Sequence, residues 1–273
     1  MPTPPTIRCG RPPLVELVLG VQFNPVLSLQ VGQLASFWKT LGDSWPDLSL
    51  ASPLEQQFEL FGSPKPWGSA GSKLRFSLRP EWRVQIRNRA RTRMVQMQNG
   101  RFHYNWMRGA SEEYPRFAGI LPEFQEVWTR FRGFLAQAGL PELEPNQWEV
   151  TYVNHIPRGG LWESGRDWPR VLPGLFSRPE LTGLTCEGAV GQWHFEIDEQ
   201  MGRLHVEVEH GIEEAAPHQE LIVLKLTARG PLNSVVVLTR GLELGRRAAG
   251  EALYKLSSAE ARKGWELTLE QHD

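Results

Sequence analysis

The sequence predicts an α+β protein made of two antiparallel sheet-plus-long-helix units. Three observations predict it. Apolar residues alternate with period 2 through most of the chain, the period changes to 3.6 in two long stretches, and each of those stretches follows a group of strands. With 273 residues, 40% apolar and 22% charged, the chain has the material of a folded core and not of a disordered segment. A loop rich in Pro and Gly over residues 158–179 sets the expected division: 1–157 as a unit with a basic sheet, 158–273 as a unit with acidic strands and terminal helices. The repeated order of strands, then helix, reads as a duplicated helix-on-sheet architecture.

Residues 1–13 are Pro-rich and read as an extended lead-in. Val15, Leu17, Leu19, Val21 and Phe23 then share one face of a strand that Asn24-Pro25 ends. Leu34, Phe37, Trp38 and Leu41 have the spacing of a short amphipathic helix. A loop through Pro46 and Pro53 leads to Phe58-Glu59-Leu60-Phe61, and residues 62–71, rich in Gly, Pro and Ser, read as a connection. Trp82, Val84 and Ile86 alternate with Arg83, Gln85 and Arg87 in the next strand, and residues 88–93 are polar enough for a projecting hairpin end. Residues 94–98 alternate again, Asn99-Gly100 is a strong hairpin signal, and Phe102, Tyr104 and Trp106 then oppose Arg101, His103 and Asn105.

Phe117, Ile120, Leu121, Phe124, Val127, Trp128, Phe131 and Leu135 form a broad helical stripe over residues 114–137, with Gly139 beyond it as a terminator. Residues 148–155 alternate as a strand closed by Pro157. Further strands are expected over 184–198, 202–211 and 220–230, then a helix over 232–256 that Gly241, Gly245 and Gly250 weaken or break. Ser257 and Glu260 have capping-box spacing for a last short helix reaching Trp265.

No apolar run approaches the roughly 20 residues of a membrane span, so no membrane is implied. The N-terminus lacks the basic-then-apolar pattern of a secretion signal. Cys9 and Cys186 are far apart and in no metal-ligand spacing, so they read as reduced thiols of a cytoplasmic protein.

Charge is sharply divided. Residues 73–108 hold ten of the 30 basic residues (Lys73, Arg75, Arg79, Arg83, Arg87, Arg89, Arg91, Arg93, Arg101 and Arg108) and one of the 31 acidic ones, Glu81. Two readings compete for these arginines. One is a solvated sheet face that resists edge-to-edge aggregation. The other is an anion-binding surface, because guanidinium matches phosphate and carboxylate with a planar fork of donors. Nucleic acid is an alternative ligand, but its sheet binders place aromatics beside the basic residues, and here the aromatics alternate onto the other face. Residues 180–220 carry ten acidic residues against Arg203 alone, so a complementary contact between halves, or within a homodimer, is a further alternative.

Two constellations offer catalytic alternatives. Asn154-His155 ends a strand, where His155 would be a general base, although such groups more often satisfy buried backbone. His194, Glu196 and Asp198 would lie beside His205, Glu207 and Glu209 on paired strands, an array with metal-ligand chemistry that alternation on a half-buried sheet also produces. No phosphate-binding loop, nucleophile elbow, zinc-protease motif or paired-Cys motif occurs. No cofactor and no metal is implied.

Several segments keep a common order along nearly the whole chain: Pro12-Pro13-Leu14-Val15-Glu16 with Gly20-Val21-Gln22-Phe23, Asn105-Trp106, Tyr114-Pro115-Arg116-Phe117, residues 146–156, and Leu226-Thr227-Ala228-Arg229-Gly230. Together they resemble a sporadically distributed family of bacterial proteins of unknown function. The family's C-terminal helix carries a His where Arg246 or Arg247 stands here, and its Thr-Thr cap is matched by Ser257-Ser258, while Trp265 fits. The resemblance implies no activity, cofactor or catalytic residue. The family's patchy occurrence is similar to that of genes in mobile defence or conflict islands, which implies an accessory of such a system. The function expected is therefore a non-catalytic binding or regulatory protein. Its expected binding residues are Arg83, Arg87, Arg89, Arg91, Arg93, Arg101, His103, Asn105, Asn154 and His155, facing an anionic ligand or a protein partner.

Overall fold

The computed structural model describes residues 6–62, 82–110, 113–176, 182–184, 186–213, 219–233 and 237–270. Lys73, Arg75 and Arg79 of the basic stretch, and most of the expected connection at 62–71, lie outside the described residues. In chain order the elements are β1 Thr6–Cys9, β2 Leu14–Phe23, α1 Val31–Thr40, β3 Asp47–Ala51, β4 Arg83–Arg87, β5 Arg93–Gln98, β6 Arg101–Met107, α2 Arg116–Gln137, β7 Pro145–Pro157, α3 Trp168–Val171, β8 Gly191–Ile197, β9 Gly202–Glu213, β10 Gln219–Pro231, α4 Leu238–Leu256, α5 Ala259–Gly264 and β11 Leu267–Glu270. The arrangement is α+β, with a large antiparallel sheet and a small one. Hydrogen-bonded neighbours run β3-β4-β5-β6-β2-β7-β10-β9-β8 in the large sheet and β1-β11 in the small one.

The chain forms two compact units, one of residues 18–149 and 230–238, the other of residues 1–17, 150–229 and 239–273. The division falls within β2 and β7, and residues 157 and 158 both belong to the second unit. A shift in composition marks a loop, but two strands long enough to serve both units carry no such mark.

In the first unit the 22 residues of α2 present Phe117, Ile120, Phe124, Val127, Trp128, Phe131 and Leu135 as one buried stripe. Phe102 of β6 lies between these rings, 5.2 Å from Trp128 and stacked at 5.2 Å on Phe131, while Phe37 of α1 meets Phe131 edge-on at 5.1 Å. Strand β3 was not foreseen: residues 46–53 read as a loop because Pro46 and Pro53 bracket them, yet five of the six residues between pair with β4 from Asp47↔Arg87 to Ala51↔Arg83.

In the second unit β9 and β10 pair from Gln219↔Glu213 to Arg229↔Arg203, and β8 closes the other side of β9. The expected strand at 184–198 is shorter, Gly191–Ile197. Helix α4 begins at Leu238, not 232, and runs through all three glycines. Gly241, Gly245 and Ala249, spaced by four, lie on its buried side, so the packing of a small-residue face overrides their low helix propensity. The cap of α5 is Ser258, whose Oγ accepts from the Ala261 amide; Ser257 instead turns back and donates to the Leu253 carbonyl. The Pro-rich lead-in is also corrected, because residues 6–9 pair with 267–270 in register Thr6↔Glu270 to Cys9↔Leu267.

Both units repeat one order. A strand (β2 or β7) is followed by a short helix (α1 or α3), then by a meander whose last strand (β6 or β10) returns beside the first, then by a long helix (α2 or α4). Phe102→Ala should cost about 3–5 kcal/mol, the range for a fully buried Phe, and appear as a lower denaturant midpoint with an unchanged slope.

Candidate functional site: an arginine hairpin on a buried polar layer

The β4–β5 hairpin is fixed by Asn88. Its side-chain oxygen accepts from the amides of Thr92 and Arg93, its own amide bonds the Arg93 carbonyl, and its carbonyl accepts from Arg91. Arg91 has φ 55°, in the left-handed region where Gly or Asn is the comfortable choice. Below the tip, Arg89 donates its amide to the Ser44 carbonyl and its guanidinium to the Asp43 carbonyl. Arg89 and Arg91 are exposed and Arg87 is half-buried, donating to Ser49 Oγ and Gln85 Oε1. Arg91 also approaches Asp47 at 3.4 Å, but both side chains are solvated and such a pair contributes only about 0–1 kcal/mol.

Arg93 departs from the expected exposed cluster. It stands opposite Trp106, with the parity of Val95 and Met97 and so on the aromatic face. There it meets α2: its Nε and Nη2 reach Glu123 Oε2 and Oε1 at 2.5 and 3.1 Å, and the Tyr104 hydroxyl donates to the same Oε2 at 2.7 Å. Its side chain is 12% exposed, so this arginine is a strut between strand and helix. Burial works to raise the Glu123 carboxyl, yet the Arg93 and Tyr104 hydrogen bonds and the Arg93 charge outweigh it and hold it below its ordinary 4.5. Burial first, and then the adjacent Glu123, push the Tyr104 hydroxyl far above its ordinary 10.

The opposite side of these strands is a polar layer that is also buried. A chain of donors crosses three strands: Arg87 to Gln85, Gln85 Nε2 to Gln96 Oε1 at 3.0 Å, and Gln96 Nε2 to Asn105 Oδ1 at 2.9 Å. Beside it, buried Arg101 donates through Nη2 to Gln22 Oε1 at 2.7 Å and to the Glu55 carbonyl at 2.8 Å. Glu149 of β7 lies 3.5 Å from Arg101 Nη1 and 3.6 Å from His103 Nε2. The irregular segment 54–59 docks on this layer through its backbone. Gln98 bonds both the amide and the carbonyl of Leu54, Gln22 accepts from the Gln57 amide, and Gln147 accepts from the Glu59 amide. Gly20 of β2 leaves room for an imidazole, since a Cβ there would stand 2.6 Å from His103 Cδ2.

The ten expected binding residues therefore separate. Arg87, Arg89 and Arg91 gather at the hairpin, with half-buried Arg83 at the other end of β4. Arg93, Arg101, His103 and Asn105 are inside, bonded to their own protein. Buried Asn154 donates to the Leu224 carbonyl, and the amide of half-buried His155 bonds the Pro13 carbonyl. Of the six-residue His-carboxylate array, His194 and His205 come together, Nδ1 to Nδ1 at 2.8 Å. Asp198 sits in a left-handed turn, Glu209 is exposed, and no group of three or more His, Cys, Asp or Glu side chains placed to hold a metal occurs among the described residues. Glu123, Glu149 and Gln22, which supply acceptors to the buried donors, were not foreseen. Each lies far from its partner in sequence and in no recognisable motif.

Fold and site together define an α+β protein in which an arginine-bearing β4–β5 turn adjoins two strands, β5 and β6, buried on both faces. Among the described residues no helix is long and apolar enough to cross a membrane. Comparison with protein-family models gives no match, and comparison with curated proteins gives none either.

Arg93→Ala should destabilise the protein by about 2 kcal/mol, less than a wholly buried pair because Glu123 is partly solvated. Because the folded Glu123 carboxyl titrates below its ordinary 4.5, its contribution is complete above that pH and is lost as pH falls through the lower folded value. The stability gap between wild type and Glu123→Gln should accordingly close on acidification below about pH 4, as read by urea midpoints. Gly20→Ala should lower the melting temperature by several degrees, and pairing it with His103→Ala should recover part of that loss by removing the clash.

Proposed function

We propose that the protein is a non-catalytic binding module that presents the hairpin arginines Arg87, Arg89 and Arg91 to an anionic surface on a protein partner. The observation that carries this reading is the ordered tip. Three arginines lie within residues 87–91, at a turn locked by Asn88, and Arg91 holds a left-handed backbone conformation there. Preorganised guanidiniums lose little freedom on meeting a carboxylate or phosphate. Leu50 and Trp82, exposed on and beside the adjoining β3–β4 strand pair, add the apolar contact that arginine-centred interfaces use. Nucleic acid is the weaker alternative: Phe102, Tyr104 and Trp106 of the basic stretch are buried, which leaves Trp82 as its exposed stacking surface among the described residues. On the sequence resemblance, the partner is to be sought in the bacterial cytoplasm, among the products of defence or conflict islands.

The test is capture from the native host with wild type beside Arg87→Ala/Arg89→Ala/Arg91→Ala. The triple variant should keep its melting temperature within a few degrees and lose the partner at least tenfold, about 1.4 kcal/mol. A partner held equally by both proteins sinks the proposal. Nucleic acid lost selectively by the variant, with affinity falling steeply in salt, replaces it by the alternative.

A further inference from the structure

Away from the hairpin, the end of the sheet formed by β8 and β9 places two imidazoles face to edge. His194 and His205 are directly opposed across the strands, with ring centroids 4.9 Å apart at 74° and their Nδ1 atoms 2.8 Å apart. One proton can lie between two such nitrogens, so one ring donates and the other offers its lone pair. Two converging imidazole nitrogens on a half-buried surface are the arrangement that borderline transition metals accept. We propose that His194 and His205 form a binding site for a divalent cation of the zinc, nickel or copper type.

The geometry needs little change. Metal–nitrogen bonds of about 2.0–2.1 Å at tetrahedral angles separate two ligand nitrogens by about 3.4 Å. The rings must therefore part by roughly 0.6 Å and give up the shared proton. Strand β8 is the last in the sheet order, bonded to β9 on one side. Carboxylates lie on the same face two residues along each strand, Glu196 on β8 and Glu207 on β9. Glu207 is held by the directly opposed Lys225 at 3.3 Å, a pair more than one-third exposed on both sides. That pairing leaves the coordination to the two imidazoles. Glu196 stands opposite Arg203. Water completes the coordination, which makes the site open and modest in affinity.

Zinc ion titrated calorimetrically into the full chain near pH 7.5 should show one saturable site with a micromolar dissociation constant. His194→Gln and His205→Gln should each weaken it at least tenfold while leaving the circular dichroism spectrum unchanged. Glu207→Gln, which removes a carboxylate already paired with Lys225, should leave the affinity unchanged. Absence of saturable binding up to roughly 1 mM overturns the proposal. So does a site that survives intact in both histidine variants, because the ion would then be held elsewhere.

Discussion

Strand β6 buries Phe102, Tyr104 and Trp106 on one side and Arg101, His103 and Asn105 on the other, and the second burial sets terms for everything built around it. A guanidinium and an imidazole taken out of water need partners within hydrogen-bond reach, or several kcal/mol are lost for each. The neighbouring strands meet that demand: Gln22 from β2 accepts from Arg101, the Glu149 carboxylate from β7 faces both Arg101 and His103, and the side-chain amides of Gln96 and Gln98 from β5 bond Asn105 and the Leu54 backbone. The irregular segment at 54–59 can lie against the sheet without regular pairing because those amides receive its backbone groups. Even the missing side chain at Gly20 belongs to the same requirement, since the imidazole occupies the space it leaves.

The two faces of the basic stretch serve opposite purposes. Parity decides which: odd residues from Arg93 to Met97 share the aromatic face with Tyr104, and this places Arg93 against α2 and not in solvent. Past the turn, where the ladder stops, parity no longer binds, and Arg89 and Arg91 are free to face outward. One run of arginines thus yields a strut, a buried donor and a solvent-facing tip, depending on register alone.

Much of the fold was legible in the sequence because alternation and helical periodicity report burial directly. Strand β2, the β5–β6 hairpin at Asn99-Gly100, helix α2 and the strand at 148–155 stand where their patterns put them. What escaped were features without a periodic signature. Strands β1 and β11 have four residues each and find one another across some 260 residues of sequence. Strand β3 is bracketed by prolines that read as loop. The glycines of α4 carry a propensity that packing reverses. The site was legible in its residue types but not in its partners. The period-2 pattern of Arg101-His103-Asn105 looked like a solvent face, and nothing local announces that Glu149 and a remote extended segment will cover it.

The small sheet of β1 and β11 bears on the order in which the molecule can be completed. Residues 6–9 are synthesised some 260 residues before their hydrogen-bonding partners. At about 5–20 residues per second that interval is on the order of tens of seconds. The unit of residues 18–149 can close its ring cluster long before then, apart from its short return at 230–238, whereas the other unit must hold its first strand in reserve until α5 and β11 emerge. Synthesis therefore orders the folding of the two units, and the later-made strand fastens the earlier one.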